Sequence, residues 1–192
     1  RMSKMCKLDA DKTAVVLGCG MEGLLTVAAL KTLGINKIIV IDKESEKSRA
    51  MEFGAWEFIG SHGKNGVAGV KDKIRAAAGD MADAVFICTD SPMGRNVARR
   101  FMKNSGSICE MGFLCGWRRT PTARYFEDSM PAGGRFYAAR DYENCMNFLA
   151  KAAEMKLPLY KLITHRYKLE EINEAMWTVV REEGLGIAVF NR

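Results

Sequence analysis

The chain reads as an α/β domain: a doubly wound parallel sheet of six strands with helices on both faces. Three observations predict this. Short apolar runs, among them Ala14–Leu17, Lys37–Ile41 and Ala84–Cys88, recur along the chain and are near-continuous, as strands buried on both faces require. Between them lie segments with apolar residues at helical spacing, and strands alternating with helices at this rhythm build a parallel sheet. The first strand also runs straight into a glycine-rich turn, Gly18-Cys19-Gly20-Met21-Glu22-Gly23, that opens a helix.

That turn organises the rest. Gly18 lets the chain reverse, Gly20 lets a pyrophosphate approach the backbone without meeting a Cβ, and Gly23 lets the helix pack closely on the strand. A helix from about Glu22 to Leu33, capped by Gly34, aims its free N–H groups at the phosphate site. The next strand ends in Asp42, about 20 residues beyond Gly23, where a carboxylate accepts both hydroxyls of an adenosine ribose and repels a 2′-phosphate. Four features coincide: strand before, helix after, second strand, and acid at the right distance. Together they predict a dinucleotide site in a Rossmann sheet.

The remaining elements follow in order. Ser45 is a plausible N-cap for a helix through about Phe53, closed by Gly54, and Trp56–Ile59 is a third strand. Val67, Val70 and Ile74 share one helical face, Ala84–Cys88 is the fourth strand, and a helix runs from the Thr89–Pro92 turn to about Lys103 with Val97 and Phe101 buried. Ser107–Met111 is the fifth strand and Arg135–Ala139 the sixth. A helix from Tyr142 to about Lys156 carries Cys145, Phe148, Leu149 and Ala152 on its apolar side, and Pro158 ends it. Last come Leu162–Thr164, a helix from about Leu169 to Glu182 bearing Ile172 and Met176, and an apolar tail, Ile187–Phe190.

At 192 residues the chain matches one domain with a short appendage. Residues 1–12 are a lead-in or a remnant of expression, 13–160 the dinucleotide-binding domain, and 161–192 a C-terminal segment. Hydrophobic residues at 48% against 27% charged exclude a disordered chain. No apolar run reaches the length of a membrane span and the N-terminus has no apolar leader core, so the expectation is a cytoplasmic protein. The six cysteines show no C-x-x-C pair and read as free thiols. The net charge of +6 comes from scattered bases. Arg95, Arg99, Arg100 and Lys103 read as a solvated helix face, and Arg118, Arg119 and Arg124 as loop surface, so neither nucleic acid nor membrane is expected as a partner.

Five stretches resemble the medium-chain zinc-type alcohol dehydrogenase family, in its polyol and threonine dehydrogenase branch: VVLGCGMEGLLTVAALKTLG, IIVIDKESEKSRAMEFGA, ADAVFICTDSP, GSICEMG and LITHRYKLEEINEAM. The resemblance runs from Thr13 to about Val189, which is the C-terminal NAD-binding half of such an enzyme. It implies an NAD-dependent dehydrogenase that moves a hydride between a secondary alcohol or polyol and nicotinamide. Asp42 then matches the acid that selects NAD over NADP, and Lys47 the lysine that also reaches the ribose. Thr89 matches the residue flanking the adenine. Met111 and Tyr137 fall where backbone groups meet the nicotinamide amide, and Met21 and Glu22 belong to the phosphate turn. Lys47 has a plain alternative as a solvated lysine, and Met111 and Tyr137 as packing residues.

The chain departs from the family in three ways. The family's GroES-like catalytic domain, with its zinc ligands and proton relay, would precede the first strand, so no catalytic residue and no metal ligand is assigned here, and this chain alone is expected to be inactive. His62 and His165 lack ligand spacing, and His165 reads as structural. Glu22 replaces the small apolar residue that in the family backs the nicotinamide ring, Asp90 stands where glycine is usual, and Ile187 and Ala188 stand where a base often contacts the cofactor. The missing domain predicts exposed apolar surface at Leu162, Ile163, Met176 and Trp177, covered by a partner such as that domain or a second copy paired through the sixth strand. A non-catalytic dinucleotide-binding module is the alternative motivated by Glu22 and Asp90. A methyltransferase shares the turn and the acid, but the LITHR segment argues against it.

Overall fold

β-branched and aliphatic residues dominate the first strands, and the computed structural model buries them. The structure describes residues 8–61, 66–89, 92–110, 130–132, 139–181 and 185–190. The chain divides into two compact units, Arg1–Leu157 and Pro158–Arg192.

In the first unit, strands β1 (Thr13–Leu17), β2 (Lys37–Asp42), β3 (Glu57–Gly60), β4 (Ala82–Ile87) and β5 (Met102–Glu110) form a parallel sheet in the order β3-β2-β1-β4-β5. A three-residue strand, β6 (Met130–Ala132), pairs in parallel with Ser107–Cys109 at the β5 edge. Helices flank the sheet: α1 (Met21–Thr32), α2 (Lys47–Glu52), α3 (Gly66–Ala78), α4 (Pro92–Ala98) and α5 (Ala139–Glu154). Every residue of β1 is buried, and Val15, Ile39, Ile41, Val85 and Ile87 meet Val70 and Ile74 of α3 and Phe101 in one core cluster. Each such side chain, fully buried, contributes about 1.5–3 kcal/mol.

Two helix ends use glycine as expected. Gly34 and Gly54 have positive φ, 84° and 104°. The N–H of Ile35 reaches the Leu30 carbonyl at 3.1 Å and that of Ala55 reaches Ala50 at 3.1 Å, the 6→1 bond of a Schellman stop.

Several boundaries differ from the sequence expectation, each for a local reason. Ser45 caps no helix: Glu44–Glu46 form a 3-10 turn, and α2 starts at Lys47 without a side-chain cap. The helix expected to reach Lys103 ends at Ala98, a 3-10 turn covers Arg99–Phe101, and β5 begins at Met102. Lys103 is therefore a strand residue, not part of a solvated helix face. Its Nζ donates to Asp83 Oδ1 at 3.0 Å, and Asp83 Oδ2 accepts the Thr13 N–H at 2.9 Å, clamping the amino ends of β1, β4 and β5 together. Gly106, buried in β5, leaves room for the Met102 side chain, and the register shifts between Ala82 and Ala84.

Of the strand expected at Arg135–Ala139, Ala139 instead opens α5, where the helix preference of alanine and Asp141 in the first turn favour a helix start. Residues 133–138, with most of the expected strand, lie outside the described residues. On α5, which lies against α1, Ala152 is buried and Phe148 half-buried, but Cys145 and Leu149 are exposed.

In the second unit, β7 (Ile163–Lys168) pairs in parallel with β8 (Gly186–Phe190), and α6 (Ile172–Val180) joins them. A 3-10 turn, Leu169–Glu171, precedes α6, and Glu171 Oε2 accepts the Lys168 N–H at 2.8 Å. The tail expected at Ile187–Phe190 is thus a strand. Ile163, Met176 and Trp177 are 41%, 59% and 56% exposed, whereas Leu162 is buried at 8%, contrary to expectation. The inward side chains of α6 are Ala175 and Thr178, with the Thr178 hydroxyl 2.7 Å from the Tyr167 hydroxyl.

Candidate dinucleotide site

Parallel register brings the candidate residues together. Leu17 is level with Ile41 on one side and Ile87 on the other, and Asp42 is level with Gly60. Gly18, Asp42, Ser61, Cys88 and Thr89 therefore all emerge at the carboxyl ends of their strands, around the crevice between strands β1 and β4 where open α/β sheets bind ligands. A cavity of about 400 Å³ opens there. Leu17, Gly18, Ile41 and Asp42 form one side, Lys43 and Ser61 the next, and Val67, Val70, Val97 and Phe101 an apolar wall, with Thr89 and Gly94 completing it.

The three turn glycines play different parts. Gly18 has φ 99°, and a Cβ on it would run into the Cys88 carbonyl. A Cβ on Gly23 would run into the Gly18 carbonyl, which is the close helix–strand approach expected of it. Gly20, with φ −70° and ψ −170°, caps α1, and a Cβ there would meet nothing within 4 Å. The space above Gly20 is open, as a phosphate approach requires, and the amino end of α1 lies beside it.

Asp42 closes the turn. Its Oδ2 accepts the Cys19 N–H at 2.6 Å and its Oδ1 accepts the Lys43 N–H at 2.7 Å, while the Gly18 N–H donates to the Ile41 carbonyl at 3.1 Å. The carboxylate therefore fastens the glycine turn to β2 and stands in the cavity lining with lone pairs left for hydroxyl donors. Thr89 sits against the turn: its Cβ would be 3.2 Å from a Cβ on Gly18, and its Cγ2 2.6 Å from one on Gly94. A side chain at 94 would force the Thr89 methyl group to shift.

Cys19 and Cys88 are buried beneath the turn. Burial above all, then the charges of Asp42 and Glu46, push the Cys19 thiol up to about 12. Burial likewise pushes Cys88 up to about 12, against the lowering effect of a hydrogen bond with Thr26. Neither is a nucleophile at neutral pH.

Met21 and Glu22 are exposed in the first turn of α1. Lys47 is not in the cavity lining. Its Nζ lies 3.8 Å from Glu44 Oε1, with both side chains solvent-exposed. Met111, Tyr137, Asp90 and His62 lie outside the described residues. His165 stacks on Tyr167, ring centroids 6.2 Å apart, with Nδ1 3.0 Å from the Thr164 hydroxyl, a structural role. Among the described residues there is no group of three or more His, Cys, Asp or Glu side chains placed to hold a metal ion.

Sequence reasoning did not assign Lys43, Ser61 and Gly94 to the site. Lys43 is signalled by adjacency to Asp42. Ser61 and Gly94 have no local signal, since strand register and helix packing bring them in. Val67, Val70, Val97 and Phe101 were legible as apolar helix positions, but not as a cavity wall.

Residues 23–151 match the family model described as zinc-binding dehydrogenase. The chain belongs to the zinc-binding dehydrogenase family. Sorbitol dehydrogenase 1 of Saccharomyces cerevisiae is 29% identical to this family member over 178 residues, covering 90% of this chain and 49% of the relative. The fold is shared with an alcohol dehydrogenase of Thermotoga maritima, TM-score 0.84 at 20% identity over 98% of this chain and 53% of that one. It is also shared with a short chain alcohol dehydrogenase of Escherichia coli complexed with cofactor NADH, TM-score 0.76 at 19% identity over 98% of this chain and 54% of that one. The chain spans about half the length of the curated relatives it matches. Among the described residues no helix is long and apolar enough to cross a membrane.

Proposed function

We propose that this chain is the NAD-binding part of an NAD-dependent, zinc-dependent alcohol or polyol dehydrogenase, and that it holds the nicotinamide for hydride transfer with a secondary alcohol. The observation that carries the reading is Asp42, which stands in the cavity lining while bonded to the Cys19 N–H of the glycine turn. The carboxylate takes the adenosine ribose hydroxyls, the open face over Gly20 and the amino end of α1 take the pyrophosphate, and Thr89 with the apolar wall flanks the adenine. Gly18 and Gly23 hold the turn in shape, and Met21 and Glu22 border the phosphates. Lys47, Met111 and Tyr137 remain in the proposed set on the family resemblance alone. When bound, NAD supplies the hydride acceptor at its nicotinamide ring. This chain's residues bind and orient it, and the large apolar side chains beside the cavity exclude water.

We read the sheet as six strands, doubly wound, with 13–160 as the cofactor domain and 161–192 as a segment that packs on a GroES-like catalytic domain carrying the zinc. Exposed Ile163, Met176 and Trp177 support that packing, and the edge position of β6 supports a homo-oligomer joined there. The name of the yeast relative supports a polyol as substrate. Free thiols at Cys19, Cys88 and Cys145 support a cytoplasmic location.

Calorimetric titration of the chain with NADH and NADPH, before and after Asp42→Asn, tests the reading. The expected result is saturable NADH binding, weaker NADPH binding, and a loss of roughly tenfold or more in NADH affinity in the variant, as a charge-assisted hydrogen bond of about 1.5–3 kcal/mol implies. Absence of NADH binding at millimolar concentration would sink it.

A further inference from the structure

The first turn of α1 leans toward β4, on the side of the glycine turn opposite Asp42. The Glu22 carbonyl accepts the Thr26 hydroxyl at 2.7 Å, and that hydroxyl lies 3.5 Å from Cys88 Sγ at the carboxyl end of β4. A Cβ on Gly23 would stand 3.6 Å from Cys88 Cβ. Residues 22 and 26 are one turn apart and share that helix face. The Glu22 side chain is exposed above it. Its charge also reaches Cys88, adding to the burial that mainly raises that thiol.

The sheet order β2-β1-β4 puts Asp42 on one flank of the turn and Cys88 on the other. A dinucleotide with its adenosine ribose on Asp42 and its pyrophosphate over Gly20 extends its second half across β1 toward β4, past Glu22. The oxidised nicotinamide ring carries a positive charge and the reduced ring carries none. We propose that Glu22 is a specificity residue that biases this site toward the oxidised cofactor over the reduced one.

This inference rests on the dinucleotide reading of the site. Repulsion between Glu22 and the phosphates is common to both redox forms, so it cancels in the ratio of their dissociation constants. Attraction to the ring does not cancel. For a solvent-exposed pair several ångströms apart, it amounts to about fivefold in that ratio at low ionic strength.

The test is calorimetry of the chain and its Glu22→Gln variant with NAD⁺, NADH and ADP-ribose at low salt. ADP-ribose reports the adenosine and phosphate contacts without a ring. The expected result is that Glu22→Gln raises Kd(NAD⁺)/Kd(NADH) by about fivefold, while NADH and ADP-ribose affinities move together. A ratio within about twofold of the unaltered chain, with both forms still bound, overturns the role of Glu22 and leaves the site standing. Failure of the unaltered chain to bind ADP-ribose and both redox forms overturns the site reading and this inference together.

Discussion

Replacing each turn glycine by alanine separates folding from binding, because the three glycines face different surroundings. At Gly23 the new methyl group meets the Gly18 carbonyl, a backbone atom of β1's own exit turn, so α1 must move off the sheet. Overpacking of that kind costs about 1–3 kcal/mol and more when backbone must shift. At Gly20 the methyl group meets nothing within 4 Å, and the backbone angles, −70° and −170°, suit any residue. There the lost N-cap preference of glycine over alanine is offset by the roughly 0.4–1 kcal/mol that a compatible Gly→Ala change contributes through the unfolded chain. The net change in stability is expected to stay within about 1 kcal/mol. The same methyl group occupies the space proposed for the pyrophosphate, so NADH affinity is expected to fall by about 10- to 100-fold, or roughly 1.4–2.8 kcal/mol. Urea unfolding and NADH calorimetry on Gly20→Ala and Gly23→Ala measure both quantities. The reasoning fails if Gly20→Ala binds NADH as tightly as the parent chain, or if it loses as much stability as Gly23→Ala.

Two further outcomes follow from the charges and thiols. Asp83 has burial acting to raise its pKa, but the Thr13 N–H and Lys103 outweigh it and the net shift is downward, so its stabilisation is present above the ordinary value of 3.8 and is lost as pH falls through the folded value. Lys103 is shifted upward, chiefly by its hydrogen bond to Asp83, so its contribution is present below 10.5 and is lost as pH rises through the raised value. The pair is partly solvated, which limits Lys103→Met to a loss of about 1 kcal/mol at pH 7, shrinking in urea melts as pH falls below 3.8. For the thiols, a maleimide pulse at pH 8 followed by peptide mapping should label Cys145 within minutes and leave Cys19 and Cys88 protected until urea unfolds the chain, since both are buried with thiols pushed up to about 12. Rapid native labelling of Cys19 would contradict the closed turn.

Much of the fold and of the candidate site was legible in order along the chain. Strand, glycine turn, helix and acid are each encoded within a few residues, and the parallel sheet follows from their repetition. Where the reading failed, the determining contact was distant in sequence or the local preference was divided. Lys103 reads as helix by periodicity but is drawn into β5 by Asp83 and the Gly106 site. Ser45 has the chemistry of a cap, yet the 3-10 turn at Glu44–Glu46 takes its place.

Local sequence alone was sufficient for the chemistry of the glycine turn and of Asp42, because φ > 0, close backbone approach and a carboxylate at a strand end are properties of single residues. The cavity is a different matter. Ser61, Thr89, Gly94 and Phe101 share it only because parallel register aligns the carboxyl ends of strands β1 to β4, and helix packing brings α4 over them. Which flank of the turn Glu22 occupies also depends on β4 lying beside β1, a non-local pairing that no short stretch of sequence encodes.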